Sequence, residues 1–571
     1  MMRFEQHGKT TRCAAFPAAV QTACQKARTM KVRPGTILLC LILAAGCASE
    51  PPPNPLARIE ATFLEFLDAA NAVDYIDSGM VTEYEGRNLA SWDAQLQEKH
   101  KALLAQIEAL DEPKLDVADA AALAAIRVTL DDYGDPSPAV ANAENELSCK
   151  DRGNPALGYD DLRTVLSGCF REIGNKLQFE GGTVDRGTAL GLLYDLEEPA
   201  RRKALFDAFV PLWSALNGDN EPASPYRRLI KAAAAEAASN GSGAEAAARA
   251  IGVTVADVER WLVQILEAWR DANTGPLVEP WDYRYVQGEA NRRLAPAFAK
   301  LDMLTLDHRF YRDLGADLDA LGVVYDIMDR PDKSPLAYTD FLKRGRYVSG
   351  AWQPTVARVV GRYEGSDLAS LNELVHENGH AVHISAIRNR PAFTDWTDTI
   401  FTEAFADVLS WSVYEPAWQR KYLGTELPVA VSLRGLFGSV MMDIAWSLFE
   451  IRLLREPATD PNALWTDITR EYLRIKPHPE VAWWAARVQL ASRPGYMVNY
   501  GLGSVLTAEM RKRTAEVIGP FDAGNPKWYA WTSEQLLRYG SEKSAKALMQ
   551  ELLGRPLSPD AVLERIRRIG E

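Results

Sequence analysis

The stretch His376-Glu377-Asn378-Gly379-His380 sets two histidines four residues apart. On a helix both project from one face and can reach a single metal ion. Glu377, beside the first histidine, points elsewhere, toward the open side of such a metal, where a water molecule would sit. That makes Glu377 the natural general base. The surrounding sequence supports a helix: Ser366 is the expected cap, Asp367 falls in the first turn, and Leu368, Leu371, Leu374 and Val375 recur at helical spacing. Gly379 costs about 1 kcal/mol relative to alanine inside a helix, so its presence predicts close approach of another backbone.

Two histidines leave a catalytic metal one ligand short, because such sites take three protein ligands and keep the fourth position open. The segment Phe401-Thr402-Glu403-Ala404-Phe405-Ala406-Asp407-Val408-Leu409-Ser410 has an apolar helical face of Phe401, Phe405, Val408 and Leu409. Glu403 and Asp407 share another face. Glu403 is the expected third ligand of one zinc ion per chain. Asp407 is placed to accept the second ring N–H of a ligand histidine and fix its tautomer. Three of the chain's seven histidines, His376, His380 and His383, lie within this one stretch.

A chain of 571 residues, 47% hydrophobic and 25% charged, is globular and larger than one ordinary core, which predicts two lobes. The formal net charge is −13, yet residues 1–46 carry +6, which leaves −19 on the remainder. So acidic a body excludes nucleic acid as a partner and favours soluble peptides or small molecules. No internal repeat and no glycine-rich phosphate loop points to nucleotide chemistry.

Residues 1–46 read as a signal segment, with Met30 a plausible true start. Lys31 and Arg33 precede an apolar run from Ile37 to Ala45 that is too short to span a bilayer. The run ends in Leu43-Ala44-Ala45-Gly46-Cys47, which resembles the lipobox of bacterial lipoproteins, where the cysteine is lipidated and becomes the new N-terminus. The expected location is the bacterial cell envelope, anchored to a membrane through Cys47 and facing the periplasm. Ser49 after the cysteine favours the outer membrane. Plain cleavage to a soluble periplasmic or secreted form is the alternative. Residues 47–58 then form a proline-rich spacer. Beyond them the only cysteines are Cys149 and Cys169, which could pair in an oxidising compartment or remain thiols.

From Leu56 onward the sequence is mainly α-helical, with runs around residues 59–70, 92–110 and 116–130 and an alanine-rich pair over 226–251 broken at Asn240-Gly241-Ser242-Gly243. The best strand candidates lie within 345–364, at Tyr347-Val348 and Val356–Val360, just before the histidine helix. A sheet edge there would let an extended peptide add as a strand beside the metal.

At these residues the chain resembles the zinc peptidases of the thimet oligopeptidase and angiotensin-converting enzyme families. His376 to His383 is similar to the oligopeptidase helix, whose third histidine makes His383 a candidate support for the ligands. Glu403 to Ser410 is closer to the converting-enzyme pattern, and Pro280-Trp281-Asp282 resembles a further oligopeptidase signature. The resemblance implies a mainly α, elongated two-lobed peptidase fold with a deep central channel and a small β-sheet next to the histidine helix. Residues 59–275 would form a helical N-terminal lobe and 276–571 the zinc-binding catalytic lobe.

Gly495-Tyr496-Met497-Val498-Asn499-Tyr500 is similar to the segment that carries the oxyanion-binding tyrosines of both families, which implies Tyr496 and Tyr500 as donors. Both families place a histidine shortly before them; here the nearest upstream is His478, and the alignment puts Gln489 in its place. An amide can donate a hydrogen bond but cannot carry a proton. The same alignment sets Arg487 where the converting-enzyme family binds the substrate's C-terminal carboxylate with a lysine. The implied function is a zinc-dependent metallopeptidase acting on short peptides, of oligopeptidase or peptidyl-dipeptidase type. The alternative is a lipid-anchored peptide-binding protein that keeps zinc and has lost turnover.

Overall fold

The structure, a computed structural model, describes residues 56–134, 147–328, 330, 333, 337–363 and 365–570. The chain divides into two units, Met1–Ala57 and Arg58–Glu571. The signal segment, Met30, Cys47 and the spacer up to Pro55 lie outside the described residues.

The fold is mainly helical with small sheets, as the sequence predicts. The expected helices form at Ala57–Asp77, Leu89–Glu108 and Val117–Tyr133. The alanine-rich pair becomes Pro225–Asn240 and Gly243–Ala250. Ser242 starts the second of these by accepting from the Glu245 amide, while Glu245 reaches back to the Ser242 amide, so two otherwise orphaned donors are satisfied at the break.

The main sheet has three strands, with Val356–Val360 in the centre, Val324–Asp326 parallel on one side and Tyr338–Lys343 antiparallel on the other. The expected strand at Val356–Val360 is therefore the buried middle of the sheet. Val324–Asp326 and Tyr338–Lys343 are its edges, and the latter has no clear signal in the sequence. Tyr347-Val348 falls instead in a small separate hairpin, Arg346–Val348 with Ala351–Gln353. Thr339 pairs with Val359 in register, and this sets its side chain toward the helix that follows the sheet.

That helix, Leu368–Ala386, carries both histidines. Its cap is Asp367, whose carboxylate accepts from the Ser370 amide at 2.7 Å; Ser366 lies one residue outside. A carboxylate at this position also complements the positive end of the helix dipole. The histidine helix packs on the sheet and on a second helix, Thr399–Ser410, which carries Glu403 and Asp407. That glutamate helix packs in turn on Val498–Ile518, the tyrosine helix, where the Thr507 hydroxyl donates to the Ala404 carbonyl at 2.8 Å.

The tyrosine helix rests on the longest helix, Val429–Arg455. By length and composition this is the one helix among the described residues able to cross a membrane. Within the fold it is a core helix, with Trp446, Phe449 and Leu448 fully enclosed. The N-terminal helices are fixed to this body by ion pairs: largely buried ones in which Arg390 binds Glu60 at 2.8 Å and Asp119 at 2.9 Å and Arg346 binds Asp68, and one from buried Arg358 to the exposed Asp74. They hold Val117–Tyr133 so that Ala125, Val128 and Thr129 form one wall of the cleft over the histidines. Cys149 and Cys169 form a disulfide, resolving the alternative that the sequence leaves open.

Candidate functional site

The site is assembled where the histidine and glutamate helices touch. Gly379 makes the contact possible, since a Cβ there would lie 2.7 Å from the Ala406 Cα and 2.8 Å from its carbonyl oxygen. With the backbones this close, His376, His380 and Glu403 bring one ligand atom each within 4.8 Å of one another. His376 Nε2 and His380 Nε2 are 3.2 Å apart, His376 Nε2 and Glu403 Oε2 3.5 Å, and His380 Nε2 and Glu403 Oε1 4.0 Å. Donors held about 2.0–2.2 Å from a tetrahedral zinc ion stand about 3.3–3.6 Å apart. The first two distances lie close to that spacing and the third is longer, so the trio could hold one metal ion.

Asp407 Oδ1 lies 2.8 Å from His376 Nδ1 and also accepts from the Ser410 hydroxyl at 3.0 Å. An Nδ1–H directed at Asp407 leaves the Nε2 lone pair for a metal. The electrostatics of the trio describe a cavity shaped for positive charge. Burial alone would lower His376, but Asp407 and Glu403 overcome it and hold the imidazole well above its usual range. Burial, with the charge of His376 beside it, takes His380 down to about 3. The two facing ring nitrogens, 3.2 Å apart, converge where a single metal ion would satisfy both. Asp407→Asn keeps the shape and removes the negative charge. We expect zinc affinity to drop about 10–100-fold, read by competition with a chromogenic chelator; unchanged affinity would show that the carboxylate does not tune the ligand.

Glu377 lines the same cleft, of about 890 Å³, and is 6% exposed. The Thr339 hydroxyl donates to its Oε2 at 2.7 Å. Burial pushes its carboxyl up to about 7. Thr339 thereby fixes one oxygen and leaves Oε1 to act. Sequence reasoning misses Thr339 because strand pairing and the packing of the histidine helix on the sheet, not local pattern, bring it to Glu377, 38 residues away.

Of the remaining candidates, Tyr500, Gln489 and Arg487 line the cleft. Gln489 Nε2 donates to the Tyr500 hydroxyl oxygen at 3.0 Å. Half-buried Tyr496 packs edge-on against Tyr500, with ring centroids 5.8 Å apart, and is not among the residues that line the cleft. Arg487 pairs with Asp443 and stacks over Trp446 and Tyr500.

The structure also places the two remaining parts of the resemblance. His383 is fully buried among Trp396, Phe401 and Phe405, and neither ring nitrogen has a hydrogen-bond partner. It is a core imidazole, taken down to about 3 by burial, and it packs on Trp396, which also packs on His380. Pro280-Trp281-Asp282 opens a helix away from the cleft, where Asp282 pairs with Arg202 at 2.7 Å. His478 is held there too, hydrogen-bonded to Glu279 and Glu480.

No family model matches this chain. No curated protein matches it in sequence. Among solved structures, it is similar to the M32 carboxypeptidase from Deinococcus radiodurans R1, with a TM-score of 0.56 and 14% identity over 90% of this chain and 98% of that one. It is also similar to Trypanosoma cruzi metallocarboxypeptidase 1, with a TM-score of 0.51 and 13% identity over 90% and 99%. A Pyrococcus furiosus carboxypeptidase in an apo-Mg structure gives 0.51 and 14% over 91% and 99%. At these identities the likeness is one of fold, spanning the whole of each relative.

Proposed function

We propose that the chain is a zinc-dependent metallopeptidase that removes residues from the C-terminal end of short peptides. The observation that carries this reading is the trio His376, His380 and Glu403 facing Glu377 across one cleft. The carboxypeptidase fold, found in proteins of that activity, supports it.

When bound, zinc supplies a Lewis acid that polarises the scissile carbonyl and acidifies water. The protein's own residues do the rest. Glu377 Oε1 accepts the proton from the attacking water and returns it to the leaving amine, while Thr339 holds the other oxygen still. The Tyr500 hydroxyl donates to the developing oxyanion. Because Gln489 supplies a donor to the Tyr500 oxygen, the phenolic proton is directed away from the amide and into the cleft.

Arg487, fixed by Asp443 and by two aromatic faces, offers its remaining N–H groups to the substrate's C-terminal carboxylate. The edge strand Tyr338–Lys343 offers backbone pairing to an extended peptide. For location, we propose a lipid-anchored protein of the cell envelope facing the periplasm, attached through Cys47. The Cys149–Cys169 disulfide supports an oxidising compartment.

The test is one defined decapeptide and its C-terminal amide, each incubated with purified protein and zinc, with products read by mass spectrometry. Loss of single C-terminal residues from the free acid, and resistance of the amide, is the expected result. Loss of dipeptides would move the activity to the peptidyl-dipeptidase type, and internal cuts to an oligopeptidase. Binding without any cleavage would favour the second reading, a peptide-binding protein that keeps zinc, for which the amide of Gln489 in place of an imidazole is the motive.

A further inference from the structure

The long core helix carries three polar side chains on one stripe, Asp443, Ser447 and Glu450, at i, i+4 and i+7, among buried residues that are mostly apolar. Asp443 holds Arg487. The other two hold the turn that leads into Tyr500. Glu450 is completely buried, and its two oxygens accept separately, Oε1 from the Gly495 amide at 2.9 Å and Oε2 from the Met497 amide at 2.8 Å. The Ser447 hydroxyl lies 2.6 Å from the Met497 carbonyl and donates to it.

Among the described residues no basic side chain pairs with Glu450. The ionisable groups that feel its charge are the phenols of Tyr226 and Tyr159. Burial pushes the carboxyl up to about 8. An acid kept in such a place is expensive to desolvate, and a leucine would fill the volume without that penalty. What the carboxyl does there is geometric.

Gly495 adopts φ +91°, a left-handed conformation, and its opposite side is pressed on the start of the Gly243–Ala250 helix, where a Cβ would lie 3.2 Å from the Ala244 amide nitrogen. Gly501, just after Tyr500, is packed as closely on Ser447, with 2.8 Å from a Cβ to the hydroxyl oxygen. The segment 495–501 is therefore clamped at both ends. Glu450 fixes the Gly495 and Met497 amides at its start, while the Tyr496 amide between them donates to the Arg493 carbonyl.

We propose that Glu450, assisted by Ser447, is a positioning residue for the oxyanion donor: it sets the backbone of residues 495–497 so that the Tyr500 hydroxyl stands at the cleft. This rests on the reading of Tyr500 as that donor. The two ideas separate experimentally.

Glu450→Gln preserves shape but turns an NH₂ toward one of the two backbone amides. With purified zinc-loaded protein, kcat is expected to fall about 10–50-fold with KM within about threefold, while zinc content is unchanged. Ser447→Ala, a smaller perturbation of the same turn, should shift kcat in the same direction by less. In the double variant Glu450→Gln/Tyr500→Phe, kcat should lie within about twofold of Tyr500→Phe alone, since the two act through one group. Additive losses, or a Glu450→Gln loss confined to KM, would overturn the proposal.

A 3-fluorotyrosine placed at position 500 gives a readout independent of turnover. Its ¹⁹F resonance should move in Glu450→Gln and in Ser447→Ala. An unmoved resonance overturns positioning even if activity falls, whereas a moved resonance in a protein without hydrolysis removes the peptidase reading and leaves the positioning intact.

Discussion

Replacing Glu377 with glutamine should abolish turnover while leaving the metal and the fold in place. The amide cannot take a proton from water, and the same group is needed again to protonate the leaving amine, so both halves of the proton transfer are lost. General base catalysis by one side chain contributes about 10²–10⁴-fold, and a residue used twice belongs at the upper end of that range. We expect kcat to fall about 10³–10⁴-fold, KM to stay within a few fold, and zinc to remain stoichiometric, because Glu377 is not one of the three clustered donors. A variant that kept a tenth of wild-type kcat would remove Glu377 from the role of base.

Stability should respond in the opposite sense. In metal-free protein burial raises Glu377 to about 7, above the ordinary value of 4.5 that it regains on unfolding. Between those values the folded state binds a proton that the unfolded state has released, so this group lowers stability progressively as pH rises from about 4.5 through 7. Glutamine has no such titration and still accepts the Thr339 hydroxyl through its carbonyl oxygen. The metal-free variant should therefore melt above the metal-free wild type, by a margin that grows from pH 5 to pH 7.5. A margin that shrinks over that interval would mean that Glu377 is not desolvated as the fold indicates.

Helical periodicity makes much of the site legible in the amino-acid sequence alone. The spacing of His376 and His380, and of Glu403 and Asp407, defines directions on two helices, and Gly379 signals that a second backbone comes close. What periodicity cannot supply is pairing across distance. Thr339 belongs to a six-residue strand whose alternation is too short to stand out, and only its register with Val359 turns it toward Glu377.

His383 shows the converse. The resemblance makes it a support for the ligands, and one turn further along the helix its surroundings are aromatic, so that the ring is buried in the core. Asp443, Ser447 and Glu450 do leave a signal, three polar residues on the buried stripe of an apolar helix. Such a stripe says that polar partners must exist inside the fold; it does not say that they are Arg487 and the amides of residues 495 and 497.

The second large effect is expected from a single methyl group. Gly379→Ala improves intrinsic helix propensity by about 1 kcal/mol, and in an isolated helix it would stabilise. Here the added carbon would sit 2.7 Å from the Ala406 Cα and 2.8 Å from its carbonyl oxygen, whereas carbon atoms at rest stand about 3.5–4.0 Å apart. Both obstacles are backbone, so no rotamer change relieves them, and the two helices must separate by about 1 Å.

Overpacking of this kind costs about 1–3 kcal/mol, enough to cancel the propensity gain and lower the melting temperature of metal-free protein. The direction of the displacement matters more than its energy. It lies between the helix that bears both histidines and the helix that bears Glu403 and Asp407, while zinc sites tolerate only about 0.2 Å in their ligand distances. Zinc affinity should fall about 100-fold or more, with turnover falling alongside it at limiting metal and partly restored by excess zinc. Ala406→Gly should not rescue the variant, because the clash is with the Ala406 backbone, which glycine retains. If Gly379→Ala bound zinc within threefold of wild type, the close contact of these two helices could not be what assembles the site.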